Sequence, residues 1–298
     1  MDLLRDEPLS RHTYYRIGGP ARILAIPRSR DDLSALGRMI RETRSSFAVL
    51  GLGSNCLFSD EGFDGIVIKT GRLNLEVAPI ASTRLLTGAS VAISSLLRRA
   101  CQEGWGGLEF LTGIPGSIGG AVRMNAGTHL GEVVSRLRRV EVFDFENLDS
   151  PTQGWRDYSG TELRFEYRKN LFLPRSALVY SAEWGIQPGD PASIKGIVDS
   201  TLARRKATQP LDFPSCGSVF KNPKSSGRQA WQVVDQLGLR GHRIGNAQIA
   251  EMHSNWILNL GGALASEVLA LIELVQRRAR EELGIEMEAE VVCLGSQP

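Results

Sequence analysis

The sequence predicts a mixed α+β protein built from two parts. Short apolar runs typical of strands, such as residues 47–50, alternate with longer stretches of helical spacing, such as residues 266–283. A chain of 298 residues is long enough for two domains. Its clearest linker is Gln187-Pro-Gly-Asp-Pro191. We therefore predict one region at residues 1–188 and a second domain at residues 189–298.

Helical spacing and end signals predict the helices. Ser29 is placed to cap the first of them, with two aspartates in its first turn. Asp190 and Pro191 give a second clear start. The predicted helices cover residues 29–44, 90–103, 191–206, 229–237 and 266–283.

Apolar runs and alternating patterns predict the strands. The alternating run 163–168 would place Phe165 and Tyr167 on one face of a strand that ends at Arg168. Residues 144–160 are predicted to be a polar loop region. The predicted strands cover residues 13–17, 22–27, 47–50, 63–68, a pair within 72–88, 137–143, 163–168, 179–184, 254–259 and 285–294.

Composition excludes several classes of function. A net charge of +2 is too small to indicate binding to nucleic acid or to a membrane. The four cysteines form no CxxC pair and the four histidines show no HxxxH spacing, so neither a zinc site nor a disulfide framework is indicated. The polar, charged start and the lack of a long apolar run indicate neither a signal peptide nor a membrane span. We expect a cytoplasmic protein.

Residues 104–131 contain nine of the 32 glycines and only two charged side chains. Glycine permits positive φ and lets another group approach the main chain closely. Ile114, Pro115 and Ile118 are too stiff or apolar for a flexible connector. We therefore predict a loop, rather than a helix or strand interior, whose N–H groups lie against a ligand such as a pyrophosphate.

A second glycine-containing loop, Gly51-Leu-Gly-Ser-Asn55, follows a buried strand. The dinucleotide-binding fingerprint requires a third glycine where Cys56 stands, and no helix is predicted to follow. No GxxxxGK[ST] motif is present either. The loop is therefore predicted to bind phosphate in another type of fold.

With these motifs, the sequence resembles the UDP-N-acetylenolpyruvoylglucosamine reductase family over nearly its whole length. The matching elements, in order, are Gly18-Gly19, Leu50-Gly-Leu-Gly-Ser-Asn55, Gly107-Leu-Glu-Phe-Leu111, Gly113-Ile-Pro-Gly116, Gly119-Gly120, Met124-Asn-Ala-Gly127, Tyr167-Arg168, Gly217-Ser-Val-Phe-Lys-Asn-Pro223 and Glu288-Ala-Glu290. The resemblance implies a vanillyl-alcohol-oxidase-like FAD-binding region of two α+β subdomains, at about 1–70 and 71–188, and a C-terminal α+β substrate-binding domain. The short chain is similar to the second structural type of the family.

The resemblance also implies an activity. Such an enzyme binds FAD non-covalently, uses NADPH as co-substrate and reduces the enolpyruvyl group of UDP-N-acetylglucosamine enolpyruvate to UDP-N-acetylmuramate, a step of peptidoglycan precursor synthesis. Its partner is a small nucleotide sugar. The candidate FAD contacts are Gly51, Leu52, Gly53, Ser54, Asn55, Gly113, Ile114, Pro115, Gly116, Ser117, Gly119, Gly120, Asn125, Ala126 and Gly127. The candidate substrate contacts are Arg204, Lys221, Asn222 and Gln248.

Three residues match the catalytic residues of the family. Ser218 would donate the proton, and the nearby Lys221 would stabilise the alkoxide; without the motif, a serine in a turn is the simpler interpretation. Arg168 would bind a carboxylate or enolate with its guanidinium fork, the alternative being a surface arginine paired with a glutamate. The family usually has serine where Asn170 stands, which puts the support of Arg168 in question.

Glu290 is the third candidate catalytic residue. Alternation places it with Glu286 and Glu288 on one face of the last predicted strand. By pattern alone this face is solvated and becomes buried toward its end, where Glu290 lies. The resemblance implies that Glu290 acts with Arg168 near the forming enol.

Two other interpretations remain open. A sugar or lactone oxidase would share the flavin fold but has no reason to carry the motifs around Ser218 and Glu290. A non-catalytic flavin or nucleotide-sugar binding module would never have its flavin reduced by NADPH.

Overall fold

The computed structural model describes residues 1–150, 152–224 and 227–295. Its helices are α1 (Arg30–Thr43), α2 (Ile93–Glu103), α3 (Ile118–Arg123), α4 (Pro191–Thr208), α5 (Ala230–Gln236) and α6 (Ala265–Leu283). Its strands are β1 (Asp2–Pro8), β2 (Pro20–Ile26), β3 (Phe47–Leu50), β4 (Cys56–Phe58), β5 (Phe63–Lys69), β6 (Val77–Ala81), β7 (Arg84–Gly88), β8 (Trp105–Gly106), β9 (Gly127–Thr128), β10 (Gly131–Glu132), β11 (Leu137–Asp144), β12 (Trp155–Ser159), β13 (Phe165–Glu166), β14 (Lys169–Asn170), β15 (Ala177–Gly185), β16 (Gln187–Pro188), β17 (Arg243–Ile244), β18 (Ala247–Ile249), β19 (Ile257–Asn259) and β20 (Val292–Leu294).

The chain forms two compact units, each made from separate segments. Unit 1 comprises Met1–Leu4, Leu24–Leu52 and Ile66–Arg205, and unit 2 comprises Arg5–Ile23, Gly53–Gly65 and Lys206–Pro298. The predicted functional division at residue 188 stays a prediction.

Unit 1 is organised around an antiparallel sheet with the strand order β12-β11-β15-β7-β6. Its core is apolar and includes the fully buried Trp184, whose indole nitrogen donates to Thr87 Oγ1 at 2.8 Å. Such a bond meets the requirement of the one polar atom that this large side chain buries. In the same unit β3 pairs in parallel with residues 66–69 of β5.

Unit 2 packs α5 and α6 over a small antiparallel sheet of order β17-β18-β19. The buried stripe of α6 includes Val268, Leu271, Ile272 and Val275, as its helical spacing requires. A parallel pair, β4 with β20, lies in the same unit.

The helix ends follow their local signals. Ser29 Oγ accepts from the backbone N–H of Asp32 at 3.1 Å, which caps α1. Asp190 does the same for the start of α4 through Ser193, and Gly284 ends α6 at a φ of +66°. The predicted helices are therefore confirmed, with ends within a few residues of those expected.

Two strand predictions and one loop prediction are wrong. Residues 13–17 form no strand, because the chain turns there with Arg16 at a φ of 56°. Residues 163–168 form a hairpin rather than one strand, with β13 and β14 joined by the turn Tyr167-Arg168. The predicted loop 144–160 contains β12, and β1 was not anticipated because its residues are mostly polar.

Two further predictions are corrected in part. The glycine-rich segment contains the short helix α3, because burial of Ile118, Ala121 and Val122 outweighs the poor helix propensity of its glycines. The predicted strand 285–294 is regular only over β20. Upstream of it, the chain forms a single antiparallel bridge, between Ala289 and Phe220.

No helix in residues 1–150, 152–224 and 227–295 has both the length and the apolar character needed to cross a membrane.

Candidate active site

The glycine-rich segment places partly exposed backbone next to a buried layer in unit 1. Gly113 and Gly116 have φ values of +76° and +133°, which side chains rarely adopt. Ser117 and Ile118 directly after them are buried, and Gly120 is exposed. The segment therefore presents glycine backbone at this surface of unit 1.

The loop at residues 51–55 is held close to other backbone and needs its glycines. In unit 1, a Cβ on Gly51 would lie 2.8 Å from Ser117 Oγ, so the first loop touches the glycine-rich segment. In unit 2, a Cβ on Gly53 would lie 2.4 Å from the carbonyl oxygen of His12, and Gly53 has a φ of +71°. A side chain at Gly53 would force the loop to move because the clash is with backbone, whereas at Gly51 the clash is with a side-chain hydroxyl.

Thr112 is a residue of this segment that sequence reasoning missed. Its hydroxyl is buried, with the residue 1% exposed, and has no hydrogen-bond partner in the part of the chain that the structure describes. A buried polar atom of this kind usually has a partner in the functional state. An orphaned hydroxyl directly before Gly113, beside exposed glycine backbone, fits a segment that binds a polar cofactor such as FAD.

Arg168 lies at the second position of a two-residue turn and not at the end of a strand. Its φ is 55°, a conformation that costs a non-glycine residue about 1–2 kcal/mol. Its side chain reaches back to the glycine-rich segment, where Nη2 donates to the carbonyl oxygen of Gly127 at 2.8 Å. Nη1 lies 3.7 Å from Glu132 Oε1. The structure thus brings this predicted catalytic residue to the predicted FAD-binding segment.

Asn170, where the family usually has serine, supports the same hairpin. Its side chain donates to the carbonyl oxygen of Arg123 at 2.6 Å and accepts from Leu173 N at 3.0 Å. Arg123 in turn donates to the carbonyl oxygens of Pro174 and Arg175. Burial lowers the pKa of Arg123. Asn170 therefore makes two hydrogen bonds at the position where the family usually has serine. These bonds hold the hairpin in place despite the departure from the family pattern.

Ser218 lies on an extended segment of unit 2 that is bonded on both sides. On one side, Asn255 is the partner: its backbone oxygen accepts from Val219 N at 2.8 Å. On the other side, the carbonyl oxygen of Val219 accepts from Glu290 N at 2.7 Å. Ser218 itself is half-buried and follows Gly217, which has a φ of +80°.

Glu290 is therefore brought to the segment that carries Ser218. The carbonyl oxygen of Glu290 also accepts a hydrogen bond from Asn55 Nδ2 at 3.0 Å. This bond joins Glu290 to the second half of the first glycine loop. Glu290 is half-buried, whereas Glu286 and Glu288 are exposed. Burial raises the pKa of the Cys216 thiol, and the neighbouring Cys56, Cys293 and Glu290 add to this to a smaller extent. The structure thus separates Glu290 from the two solvated glutamates.

Asn255 is a second residue that the sequence did not single out, and it holds the segment that carries Ser218. Its side chain accepts from Phe220 N at 2.9 Å and donates to Phe220 O at 2.9 Å, directly after Ser218 and Val219. The only sequence signal was its place in His253-Ser-Asn-Trp256, a stretch that resembles a family motif.

The four candidate substrate contacts come from both units. In unit 1, Arg204 lies exposed on α4. In unit 2, Lys221 Nζ pairs with Glu288 Oε1 at 2.6 Å, Asn222 Oδ1 accepts from the first residue of α5, and Gln248 Nε2 donates to Gly241 O. The neighbouring Arg205, rather than Arg204, packs against Gly113, and burial lowers its pKa.

Comparison with known protein families agrees with this geometry. Residues 21–147 match the FAD binding domain family, and residues 209–294 match the family described as "UDP-N-acetylenolpyruvoylglucosamine reductase, C-terminal domain". The fold and the site thus define a flavin-dependent oxidoreductase. The predicted fold class, a vanillyl-alcohol-oxidase-like FAD-binding region with a C-terminal α+β domain, is confirmed.

Similar proteins specify the family. The UDP-N-acetylenolpyruvoylglucosamine reductase of Heliobacterium modesticaldum is 41% identical over 98% of this chain and 90% of its own. That of Geobacter metallireducens is 39% identical over 99% of this chain and 95% of its own. The crystal structure of the Thermus caldophilus enzyme superposes with a TM-score of 0.80 at 34% identity, covering 98% of both chains. This chain belongs to the UDP-N-acetylenolpyruvoylglucosamine reductase family and is an FAD-containing enzyme.

Proposed function

We propose that this protein reduces the enolpyruvyl group of UDP-N-acetylglucosamine enolpyruvate to UDP-N-acetylmuramate, with NADPH as the hydride source. Membership of the reductase family supports the substrate class. The structural observation that carries the proposal is the pairing of the Ser218 segment with the Glu290 segment in unit 2, through Val219 O and Glu290 N. An acid and a carboxyl group on paired segments are what protonation beside an enol requires.

The chemistry explains why these side chains are needed. FAD, when bound, would supply the hydride chemistry that links NADPH to the enolpyruvyl double bond. Hydride addition beside a carboxylate leaves negative charge on the carboxylate-bearing fragment of the substrate. A cation held there stabilises that charge more than it stabilises the bound substrate. A proton must then reach the adjacent carbon from a fixed side.

In this proposal Ser218 donates that proton. Its half-buried position between Gly217 and Val219 lets a ligand approach the hydroxyl. Serine is a poor acid, so the oxygen that loses the proton needs a positive neighbour. We assign this role to Lys221, whose ammonium is tethered by its ion pair with Glu288.

Arg168 and Glu290 act on the other end of the reacting group. The guanidinium fork binds the substrate carboxylate and stabilises its enolate. Glu290 acts beside the enol that forms. The peptide segments 51–55 and 113–127 hold FAD mainly through main chain, and the Thr112 hydroxyl supplies an additional polar contact. Arg204, Lys221, Asn222 and Gln248 are the proposed contacts to the diphosphate and sugar.

The wider context remains a prediction as well. The product serves peptidoglycan precursor synthesis, and a reaction that uses NADPH and a nucleotide sugar is expected in the cytoplasm.

The proposal is tested by separating the two half-reactions in a stopped-flow spectrophotometer. In Ser218→Ala, reduction of the flavin by NADPH should keep its wild-type rate. Reoxidation of the reduced flavin by the enolpyruvyl substrate should slow by about 10²–10⁴-fold, the usual contribution of a general acid. Ser215→Ala, a substitution on the same segment, is the control and should leave both rates unchanged.

Two companion variants test the other assignments. Arg168→Lys should fail in reoxidation because a point charge cannot reproduce the bidentate fork, and Glu290→Gln should fail in the same step. Equal loss of both half-reactions in Ser218→Ala would show a structural role for the serine and would contradict the proposal.

A further inference from the structure

The side chain of Arg168 is held by hydrogen bonds and a charge pair that the turn itself does not require. Besides its bond to Gly127, its Nη1 points toward the carbonyl oxygen of Asn125 at 3.5 Å. The same nitrogen lies 3.7 Å from Glu132 Oε1. The guanidinium therefore meets two carbonyl oxygens and one carboxylate, all contributed by the segment 125–132. The Arg168 side chain is only 18% exposed as a result.

Asn125 holds this carboxylate in place. Its Nδ2 donates to Glu132 Oε2 at 2.9 Å, which is the carboxylate oxygen that does not face Arg168. The second hydrogen of Nδ2 serves the carbonyl oxygen of Glu166 at 3.1 Å, directly before the turn that contains Arg168. Oδ1 accepts from Val134 N at 3.1 Å. Asn125 thus fixes both the carboxylate beside the guanidinium and the hairpin that presents it.

Backbone strain at the same two residues supports a functional interpretation. Asn125 and Arg168 both have left-handed φ values, 43° and 55°. Such conformations cost free energy, and they persist where surrounding contacts over-determine them, which occurs most often at functional sites. Asn125 is also 1% exposed, so its polar side chain is buried only because every one of its groups is bonded.

We infer that Asn125 and Glu132 are positioning residues, which set the orientation of the Arg168 guanidinium for the step in which substrate is reduced. The inference rests on the proposed function, because it requires Arg168 to bind the substrate carboxylate. An arginine side chain has several rotatable bonds, and ordering it during each turnover would cost entropy. The Glu132 carboxylate and the two carbonyl oxygens order it beforehand, as pre-organised sites do.

A double-mutant cycle with Arg168 tests the inference. In Glu132→Ala, reoxidation of the reduced flavin by the enolpyruvyl substrate should slow by about 10–100-fold, the scale expected for a misplaced catalytic group. Reduction by NADPH should change less than about twofold. In the Arg168→Ala background, Glu132→Ala should have no further effect, because a positioning residue has nothing left to position. Glu132→Gln keeps an oxygen for Asn125 and should recover part of the rate.

The matched control is Glu166→Gln, which removes a charge from the same hairpin at an exposed side chain. It should leave both half-reactions unchanged. Asn125→Ala should change the two half-reactions in the same way as Glu132→Ala. If the Asn125→Ala protein does not fold, the substitution of the half-buried Glu132 alone tests the inference.

The outcomes separate this inference from the proposed function. If Arg168→Ala impairs reoxidation but Glu132→Ala does not, the positioning role is wrong and the proposed function stands. The same holds if Glu132→Ala slows reoxidation by an equal factor with and without Arg168. If Arg168→Ala reoxidises at the wild-type rate, the assignment of Arg168 fails, and the positioning role fails with it.

Discussion

The buried side chain of Asn255 is predicted to fix the segment that carries Ser218. It is 5% exposed and makes two hydrogen bonds of 2.9 Å, one to Phe220 N and one to Phe220 O. Its own backbone oxygen accepts from Val219 N. Removal of the side chain in Asn255→Ala would leave both polar groups of the Phe220 backbone without these partners.

The size of the effect follows from these two bonds. Each contributes about 0.5–1.5 kcal/mol net, and a buried group left without a partner costs about 1–3 kcal/mol. We therefore expect Asn255→Ala to lower the free energy of unfolding by about 3 kcal/mol. The adjacent Ser254 is also buried but donates a single bond, to Trp231 O at 2.9 Å. Ser254→Ala should cost only about 1 kcal/mol.

Urea unfolding of the two variants, followed by tryptophan fluorescence, measures this difference. The same proteins should then be compared in the half-reactions. Asn255→Ala should slow substrate-dependent reoxidation of the flavin more than its reduction by NADPH, because Ser218 lies next to the released segment. Equal losses of stability in Asn255→Ala and Ser254→Ala, or reoxidation at the wild-type rate in Asn255→Ala, would refute the reasoning.

Two further predictions concern the first glycine loop and the buried thiol. Gly53→Ala should yield a protein that retains little FAD on purification, because its Cβ would lie 2.4 Å from His12 O. The control is Gly71→Ala, which should stay yellow because a Cβ there meets nothing within 4 Å. Equal flavin content in the two purified variants would contradict this prediction. Burial raises the pKa of Cys216, so the unfolded chain loses that proton first as pH rises. Above about pH 8.5 the free energy of unfolding should therefore fall, and the Cys216 thiol should contribute up to about 1.4 kcal/mol per pH unit to this loss. Urea midpoints measured from pH 7 to 10 should fall less steeply in Cys216→Ala than in the wild-type protein. Parallel curves for the two proteins would exclude the effect.

The sequence was a good guide where the physical cause is local. Ser29 and Gly284 act within one helical turn of the helix ends that they define, so their types alone indicate the boundaries. The short apolar run at β3 is likewise visible without knowledge of its partners.

The sequence was a poor guide where a pattern crosses a turn. Alternation continues without interruption through residues 163–168, yet Arg168 occupies a left-handed turn position that glycine or asparagine more often fills. Its conformation is explained by contacts to Gly127 and Glu132, which lie about 40 residues away in the chain. No local pattern could have shown that cause.

The candidate site shows the same contrast between residues that sequence motifs reveal and residues whose role depends on distant contacts. Arg168, Ser218 and Glu290 were singled out through motif resemblance, whereas Asn125 was predicted only as a cofactor contact and Asn255 only lay within a stretch that resembles a family motif. Both asparagines act through hydrogen bonds to segments distant in sequence. Their importance follows from burial with every polar group bonded, which only the folded structure can show.

The central claim is that the flavin of this protein is reduced by NADPH and reoxidised by an enolpyruvyl nucleotide sugar. The direct measurement is anaerobic: the flavin is bleached with one equivalent of NADPH, and UDP-N-acetylglucosamine enolpyruvate is then added. The account predicts return of the oxidised flavin spectrum and one equivalent of UDP-N-acetylmuramate, identified by mass spectrometry. A flavin that NADPH does not bleach, or that stays reduced until oxygen is admitted, would contradict it.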